Sequence, residues 1–302
     1  MWLTFALVTV EVFVTYARLP WNELYHVTGS GLGGGASRAL LFLNFPVALA
    51  AIAVLLVLLD RLSSYLDRWL ALLAIELCAV MVWPGVVNQG KLDARPINAV
   101  PAIGVALAFA LTIRGCGRGL VGRFEPRRGD RLRLAASVVL AAFALPWMAV
   151  DLGFSFTDLP LLGSLYQTGE LRTQPNVPGF HPAVHLGHHH GMYGTLLVLT
   201  ALLLSRLVPS VANRWLRGLL GAYLALMAFY GLGNIANDFW LEQVVKRGWT
   251  LWQVPDVTTP KASVAWLLIV IAAAITWTVL VLPALRQSRR RGQDARSSTA
   301  TS

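Results

Sequence analysis

The run Gly179-Phe180-His181-Pro182-Ala183-Val184-His185-Leu186-Gly187-His188-His189-His190-Gly191-Met192 leads into Tyr193-Gly194-Thr195-Leu196-Leu197-Val198-Leu199-Thr200-Ala201-Leu202-Leu203-Leu204. Five of the six histidines fall within ten residues, directly before an apolar segment long enough to enter a membrane. Pro182 suits the first turn of a helix, where its missing N–H costs nothing. A helix from Pro182, turning about 100° per residue, places His181, His185, His188 and Met192 on one stripe, with His189 at its edge and His190 pointing away. Gly187, Gly191 and Gly194 fall on the opposite stripe, where a neighbouring helix can come close. Imidazole is the commonest metal-ligand side chain, and three- or four-residue spacings let two rings meet one ion. The spacing predicts a site for a divalent transition metal ligated by His181, His185, His188 and His189. Zinc, iron and copper all suit imidazole, and no thiolate stands nearby to separate them.

The whole chain shares the apolar character of that segment. Its 302 residues are 56% hydrophobic and 13% charged, the composition of an all-α polytopic membrane protein. Eight stretches approach or exceed the length needed to cross about 30 Å of hydrocarbon as helices. They lie near 2–20, 38–59, 66–86, 96–115, 133–152, 190–209, 214–237 and 262–285. Residues 1–285 therefore read as a single transmembrane helical domain with about eight transmembrane helices. The first stretch lacks the basic leader and small-residue cleavage site of a signal peptide, so it reads as a span.

Arginine and lysine orient these spans. Seventeen of the 25 basic residues fall in the connections 60–68, 114–133 and 206–217 and in the tail after 285. With eight spans, these regions share one side, which the positive-inside rule assigns to the cytoplasm together with both termini of a plasma-membrane protein. The net charge of +10 is thus a topology signal. No basic domain interleaved with aromatics exists, which argues against nucleic acid as a partner. The tail, residues 286–302, reads as basic, disordered and cytoplasmic. Cys78 lies inside the third span and Cys116 at the cytoplasmic edge of the fourth, neither placed for an exported disulfide.

The outer side carries all six histidines. Glu11 sits within the first span and Glu76 within the third, and an ionisable side chain at such depth is a functional candidate by default. The two are expected to pair with each other, to mark a proton path or to help hold a metal, and Arg18 lies two helical turns beyond Glu11 as a possible partner. Glu23 and His26 form an E-x-x-H pair, which on a helix aims a carboxylate and an imidazole at one point. His26 joins the candidate ligands on that basis. The glycines of Gly29-Ser30-Gly31-Leu32-Gly33-Gly34-Gly35 suggest a flexible turn. Asn44 and Pro46 predict a kink in the second span. Tyr223, Tyr230, Asn234 and Asp238 share one side of the seventh span, and Asp238 ends it at the depth of the histidines, able to ligate a metal or orient a ligand's second nitrogen. The outer connection 153–181 is long enough to act as a lid.

Thr28-Gly29-Ser30-Gly31-Leu32, following a first span, resembles the same region of haem A synthases, which also have eight spans and about this length. The paired loop cysteines of that family are absent here, Gly33-Gly34-Gly35 standing where the first would be. No haem ligand carries over, because the spans outside the cluster hold no histidine. The H-x3-H and H-x2-HH spacings resemble fragments of the histidine boxes of membrane fatty-acid desaturases and hydroxylases. Those families spread several boxes along the chain on the cytoplasmic face.

Two function classes follow from the residues. One is a membrane metal-dependent enzyme acting at the outer interface on a hydrophobic or amphipathic substrate, with Glu11, Glu76 and Asp238 as catalytic candidates. The other is metal-ion transport or metal-centre assembly, with Glu11 and Glu76 marking a path inward. A non-catalytic subunit that packs against partners through its glycine faces is a third reading. An enzyme should show an apolar groove open to lipid beside its polar site, whereas a transporter should connect the membrane glutamates to the histidines.

Overall fold

The computed structural model describes residues 1–18, 31–83, 86, 94–118, 126–166, 170–174, 177–182, 189–258, 260–283 and 285. Its main helices are α1 (Trp2–Arg18), α2 (Gly31–Phe42), α3 (Ala48–Arg61), α4 (Tyr65–Ala79), α5 (Ala99–Gly117), α6 (Asp130–Asp151), the single-turn α7 (Leu162–Leu165), α8 (His189–Ser205), α9 (Arg214–Trp240) and α10 (Val264–Leu280). One hairpin, β1 (Leu171–Gln174) paired antiparallel with β2 (Val177–Pro182), interrupts them. The described residues of the eight apolar stretches are mostly helical. Among the described residues, four helical segments are long and apolar enough to cross a membrane: Gly31–Arg61, Pro96–Gly117, Asp130–Asp151 and Arg214–Val245. Gly191–Ser205 and Val264–Leu280 are shorter apolar helices.

Helix α3 is the centre of the bundle. Nine of its 14 residues are buried, so it is covered nearly all round, and it packs against α4, α5, α8 and α9. A π-helical turn at Leu43–Val47 joins α2 to α3. Pro46 offers no N–H to the helical ladder, and Asn44 Nδ2 donates to the Leu40 carbonyl at 2.7 Å. A π-turn is how a helix absorbs such a residue without ending, so the irregularity expected at Asn44 and Pro46 takes this form. The outward faces of α6 and α10 are aliphatic, with Leu132, Val139, Val264 and Val279 exposed. In a membrane protein such a face meets lipid, because helices keep every backbone group satisfied internally.

The glycines at 31–35 are a correction to the sequence reading. They open α2 instead of forming a loose turn. A Cβ on Gly35 would stand 2.9 Å from the Ala17 Cβ, so glycine is what lets α2 close against α1.

The three basic connections meet at one end of the bundle. Asp60 accepts the backbone N–H groups of Ala212 and Asn213, each at 2.8 Å. Asp67, fully buried, pairs with Arg114 and Arg118. Asp130 pairs with Arg133 and Arg206, and Arg127 donates to the Arg206 carbonyl. Trp2 donates to Thr112 near the end of α5, and Trp277 donates to the Gly218 carbonyl near the start of α9. The start of α1 and the end of α10 therefore lie at this same basic end. The tail 286–302 lies outside the described residues. Cys78 is buried and Cys116 exposed, both as free thiols.

Candidate functional site

At the opposite end, acidic residues from three helices gather where α8 begins. Helix α1 buries a stripe of Phe5, Val8, Glu11, Val12, Thr15 and Tyr16, the three- and four-residue spacing of a helix face turned into a core. Glu11 is only 3% exposed. Its Oε1 accepts from Thr15 Oγ1 one turn on, at 3.1 Å, while its buried Oε2 has no hydrogen-bond partner among the described residues. Arg18 reaches across to α6 instead of back to Glu11, donating to the Asp151 carbonyl at 2.7 Å.

Asp151 is fully buried at the end of α6, and its carboxylate lies within electrostatic reach of Glu11. Arg38 comes from the buried face of α2 that also carries Gly34, Gly35 and Phe42. It is 3% exposed, with its guanidinium 4.7 Å over the Tyr16 ring, an arrangement that stabilises a cation away from water. Tyr193 of α8 interacts with both Arg38 and Glu11. Two guanidinium groups, Arg38 and Arg18, thus stand near the Glu11 and Asp151 carboxyl groups in a low-dielectric setting.

Helix α9 brings Asp238, 3% exposed, against the first turn of α8. The close approach depends on Gly191, where a Cβ would lie 2.7 Å from Asp238 Oδ2 and 2.7 Å from Trp147 Cζ3. Three residues further, a Cβ on Gly194 would stand 2.9 Å from Ile235 Cγ1. The small-residue stripe expected at Gly191 and Gly194 is therefore the contact surface of α8 with α9. Gly187 lies outside the described residues.

The outer connection covers this end. Trp147 is fully buried, its ring centroid 4.7 Å from Phe143 and 5.9 Å from Tyr166. Tyr166 donates its hydroxyl to the Phe143 carbonyl at 2.8 Å, and burial pushes its phenol above the ordinary tyrosine range. Arg172, beside Glu170, donates to the Arg247 carbonyl at 3.1 Å, and Arg247 donates in turn to the Ser164 carbonyl.

The histidines divide. His181 is in strand β2, opposite Arg172, and Pro182 ends that strand. The continuous helix from Pro182 is thus overturned, and His181 does not share a helical stripe with Met192. Hairpin pairing holds the chain extended through residue 182, and α8 begins at His189. His189 and His190 open α8, but the side chains of His181, His189 and His190 lie outside what the structure describes. His185, His188, Glu23 and His26 lie wholly outside the described residues. Among the described residues, no three His, Cys, Asp or Glu side chains stand together to hold a metal.

Glu76 is not part of this site. It is exposed on α4, beside the exposed Leu72 and Leu73, while Glu11 is buried against α2 and α6. The expected pairing of Glu11 with Glu76 fails for a simple reason: α4 turns the Ala71, Ala74 and Cys78 stripe inward and Glu76 outward. Asp151 takes that place. Asn234 also has another task. It binds the Tyr230 carbonyl and Thr258, helping to hold the 246–263 connection along α9. Asn237 and Trp240 anchor the same connection through the Val254 and Trp252 carbonyls.

Arg38 and Tyr16 were missed by sequence reasoning. The available signal was a lone arginine at the head of an apolar run, three residues after Gly35.

A cavity of about 150 Å³ lies directly along the bundle from the acidic group. Its walls are Thr4, Leu7 and Val8 of α1, Ala144, Leu145 and Met148 of α6, and Met192, Thr195 and Leu199 of α8, among others. Leu7 and Leu145 are both 58% exposed, so the cavity opens to the outside of the bundle between α1 and α6.

Set against known proteins, the chain matches no family model, no curated protein and no solved structure.

Proposed function

We propose that this chain is a multi-pass plasma-membrane protein of about eight helical crossings, its basic end and both termini in the cytoplasm, working as a metal-dependent enzyme at the outer interface. The observation that carries the reading is the gathering of Glu11, Asp151 and Asp238 around the start of α8, the point at which the histidine segment joins the bundle. The lacing of three basic connections at the other end supports the orientation.

In this reading His181, His185, His188 and His189, with His26, supply imidazoles to one zinc, iron or copper ion. Such an ion supplies an electrophile or an activated water. Asp238 is placed to ligate or to orient an imidazole, since it packs on the first turn of α8. Glu11, with one oxygen held by Thr15 and the other open, is placed to take or give a proton at Oε2. Arg38 offsets the local negative charge. Transport along a Glu11–Glu76 path has less support, because Glu76 faces out of the bundle.

The test is the metal content of purified wild type beside a His185→Ala/His188→Ala variant. Near-stoichiometric metal that is lost in the variant supports the reading. A folded, metal-loaded preparation that retains no ion sinks it.

A further inference from the structure

We infer that the outward face of α4 is a homodimer seam, closed at its centre by the Glu76 carboxyl groups of two copies of this chain. The inference rests on the multi-pass reading, which makes α4 a crossing, and stands apart from the metal. It starts from the pattern on one helix. Ala71, Ala74 and Cys78 form the inward stripe of α4, with the buried Asp67 at its base. That stripe is already packed, since a Cβ on Gly104 of α5 would stand 2.8 Å from Cys78 Sγ. On the other side Tyr65, Trp69, Leu72, Glu76, Ala79 and Trp83 recur at alternating spacings of four and three, Trp83 lying just past the 3-10 turn Val80–Val82. This is the a/d period of a coiled-coil seam. Yet Ala79 is only partly buried and the other five residues are exposed.

Glu76 separates this seam from an ordinary lipid-facing surface. It lies seven residues from Trp69 and seven from Trp83, exposed tryptophans of the kind that stand at membrane interfaces. At 1.5 Å per residue, about 10 Å of helix separates Glu76 from Trp69, more than its two methylenes span. Among the described residues no side chain bonds or pairs with it. Its neighbours one turn away, Leu72, Leu73, Ala79 and Val80, offer no side-chain donor. A carboxyl group facing hydrocarbon without a partner is costly in either protonation state, so the face is incomplete in a single chain.

The membrane selects the partner. Two copies inserted in one orientation associate about a two-fold axis along the membrane normal, so each seam residue meets its own counterpart at its own depth. A second copy therefore brings Glu76 to Glu76, whereas a different protein would need a polar group at that one depth. A carboxylic acid is self-complementary, with one O–H donor and a carbonyl acceptor. Two of them bond reciprocally and leave nothing polar facing lipid. Interhelical hydrogen bonds of this kind hold helices together where lipid removes the hydrophobic drive, and one polar residue at an a position fixes the register and the number of helices. Leu72 on the seam and Leu73 beside it supply the packing, both being exposed in the single chain.

The test is the dimer fraction of the full chain, carrying one C-terminal dye, counted by photobleaching steps in phosphatidylcholine vesicles over a range of protein-to-lipid ratios. Wild type is expected to dimerise as that ratio rises. Glu76→Leu is expected to weaken dimerisation at least roughly tenfold, through loss of the reciprocal bonds. Glu76→Gln, whose amide also donates and accepts, is expected to stay within about threefold of wild type. Glu76 is exposed, so neither variant alters packing inside the chain. In native membranes, Leu72→Cys in a Cys116→Ser background is expected to form a dimer disulfide on oxidation, while Leu145→Cys on the exposed face of α6 in the same background is not. A wild type that stays monomeric while embedded in the membrane overturns the inference and leaves the face to lipid or to a different protein. Glu76→Leu dimers as tight as wild type, Glu76→Gln dimers as weak as Glu76→Leu, or equal crosslinking from α6 also overturn it. A chain that carbonate strips from membranes overturns the multi-pass reading together with this inference.

Discussion

Gly191→Ala tests whether α8, α9 and α6 meet as closely as the site requires. The added methyl would stand 2.7 Å from Trp147 Cζ3, 2.9 Å from Trp147 Cη2 and 2.7 Å from Asp238 Oδ2. Carbon pairs are comfortable at about 3.5–4.0 Å, so the indole must retreat by roughly 1 Å. Trp147 has no room to do so: it is fully buried, with Phe143 and Tyr166 edge-on against it. Overpacking of this kind costs about 1–3 kcal/mol. Alanine returns up to about 1 kcal/mol through helix propensity, so the expected net loss is about 1–2 kcal/mol. The assay is the midpoint of SDS titration in mixed micelles, followed by near-UV circular dichroism. Trp147→Phe removes the ring atoms that clash, so the cost of Gly191→Ala should fall by about 1 kcal/mol in that background, a coupling within the range for touching residues. A Gly191→Ala protein as stable as wild type, or the same cost in both backgrounds, would refute the packing argument.

Gly231→Ala should also destabilise, by about 1–2 kcal/mol on the same scale, because its Cβ would lie 2.6 Å from the Gly194 carbonyl oxygen and backbone cannot rotate away; helix propensity alone gives the opposite sign. Arg38→Met keeps the stem but removes the cation over Tyr16, leaving the Glu11–Asp151 pair without its guanidinium; a loss of about 3 kcal/mol is expected in the same titration, and an unchanged midpoint would show the charge to be dispensable. Tyr166→Phe should cost about 1 kcal/mol at neutral pH through the lost bond to the Phe143 carbonyl. That advantage of the wild type should shrink above pH ~10, where an unfolded tyrosine ionises while the buried phenol, pushed up, stays protonated; a difference that grows with pH would contradict it.

The helices were legible because apolar length is a one-dimensional property. All eight stretches can be seen by running a window along the chain, and the basic residues at 60–68, 114–133 and 206–217 announce that those connections share a side. Facing was less legible. Glu11 and Glu76 look alike in sequence, each a lone carboxylate in an apolar run, yet one is buried and the other exposed. Only the neighbours decide it: the Gly34–Gly35 step lets α2 deliver Arg38 over Tyr16, so α1 turns its acidic stripe inward. The start of α8 was misread for a related reason. Pro182 is as acceptable at the end of a hairpin strand as in a first helical turn, and the pairing of His181 with Arg172 is a contact at a distance that no local pattern reveals.

The two ends of the bundle handle buried charge differently, and the difference bears on function. At the basic end each acid is committed: Asp60 to two backbone N–H groups, Asp67 to two arginines, Asp130 to Arg133 and Arg206. These carboxylates hold connections together through charged or backbone partners, although Asp67 Oδ1 also accepts no hydrogen bond among the described residues. At the other end Glu11 keeps one buried oxygen without a donor, in a chain where Thr15 satisfies the other. An unsatisfied buried acceptor costs about 1–3 kcal/mol, a large share of the 5–15 kcal/mol that a folded protein typically has to spare. Glu11 lies where Asp151, Asp238 and the start of α8 come together. A buried carboxyl group with one oxygen held by Thr15 and the other open is what the proposed metal-dependent site would use to exchange a proton.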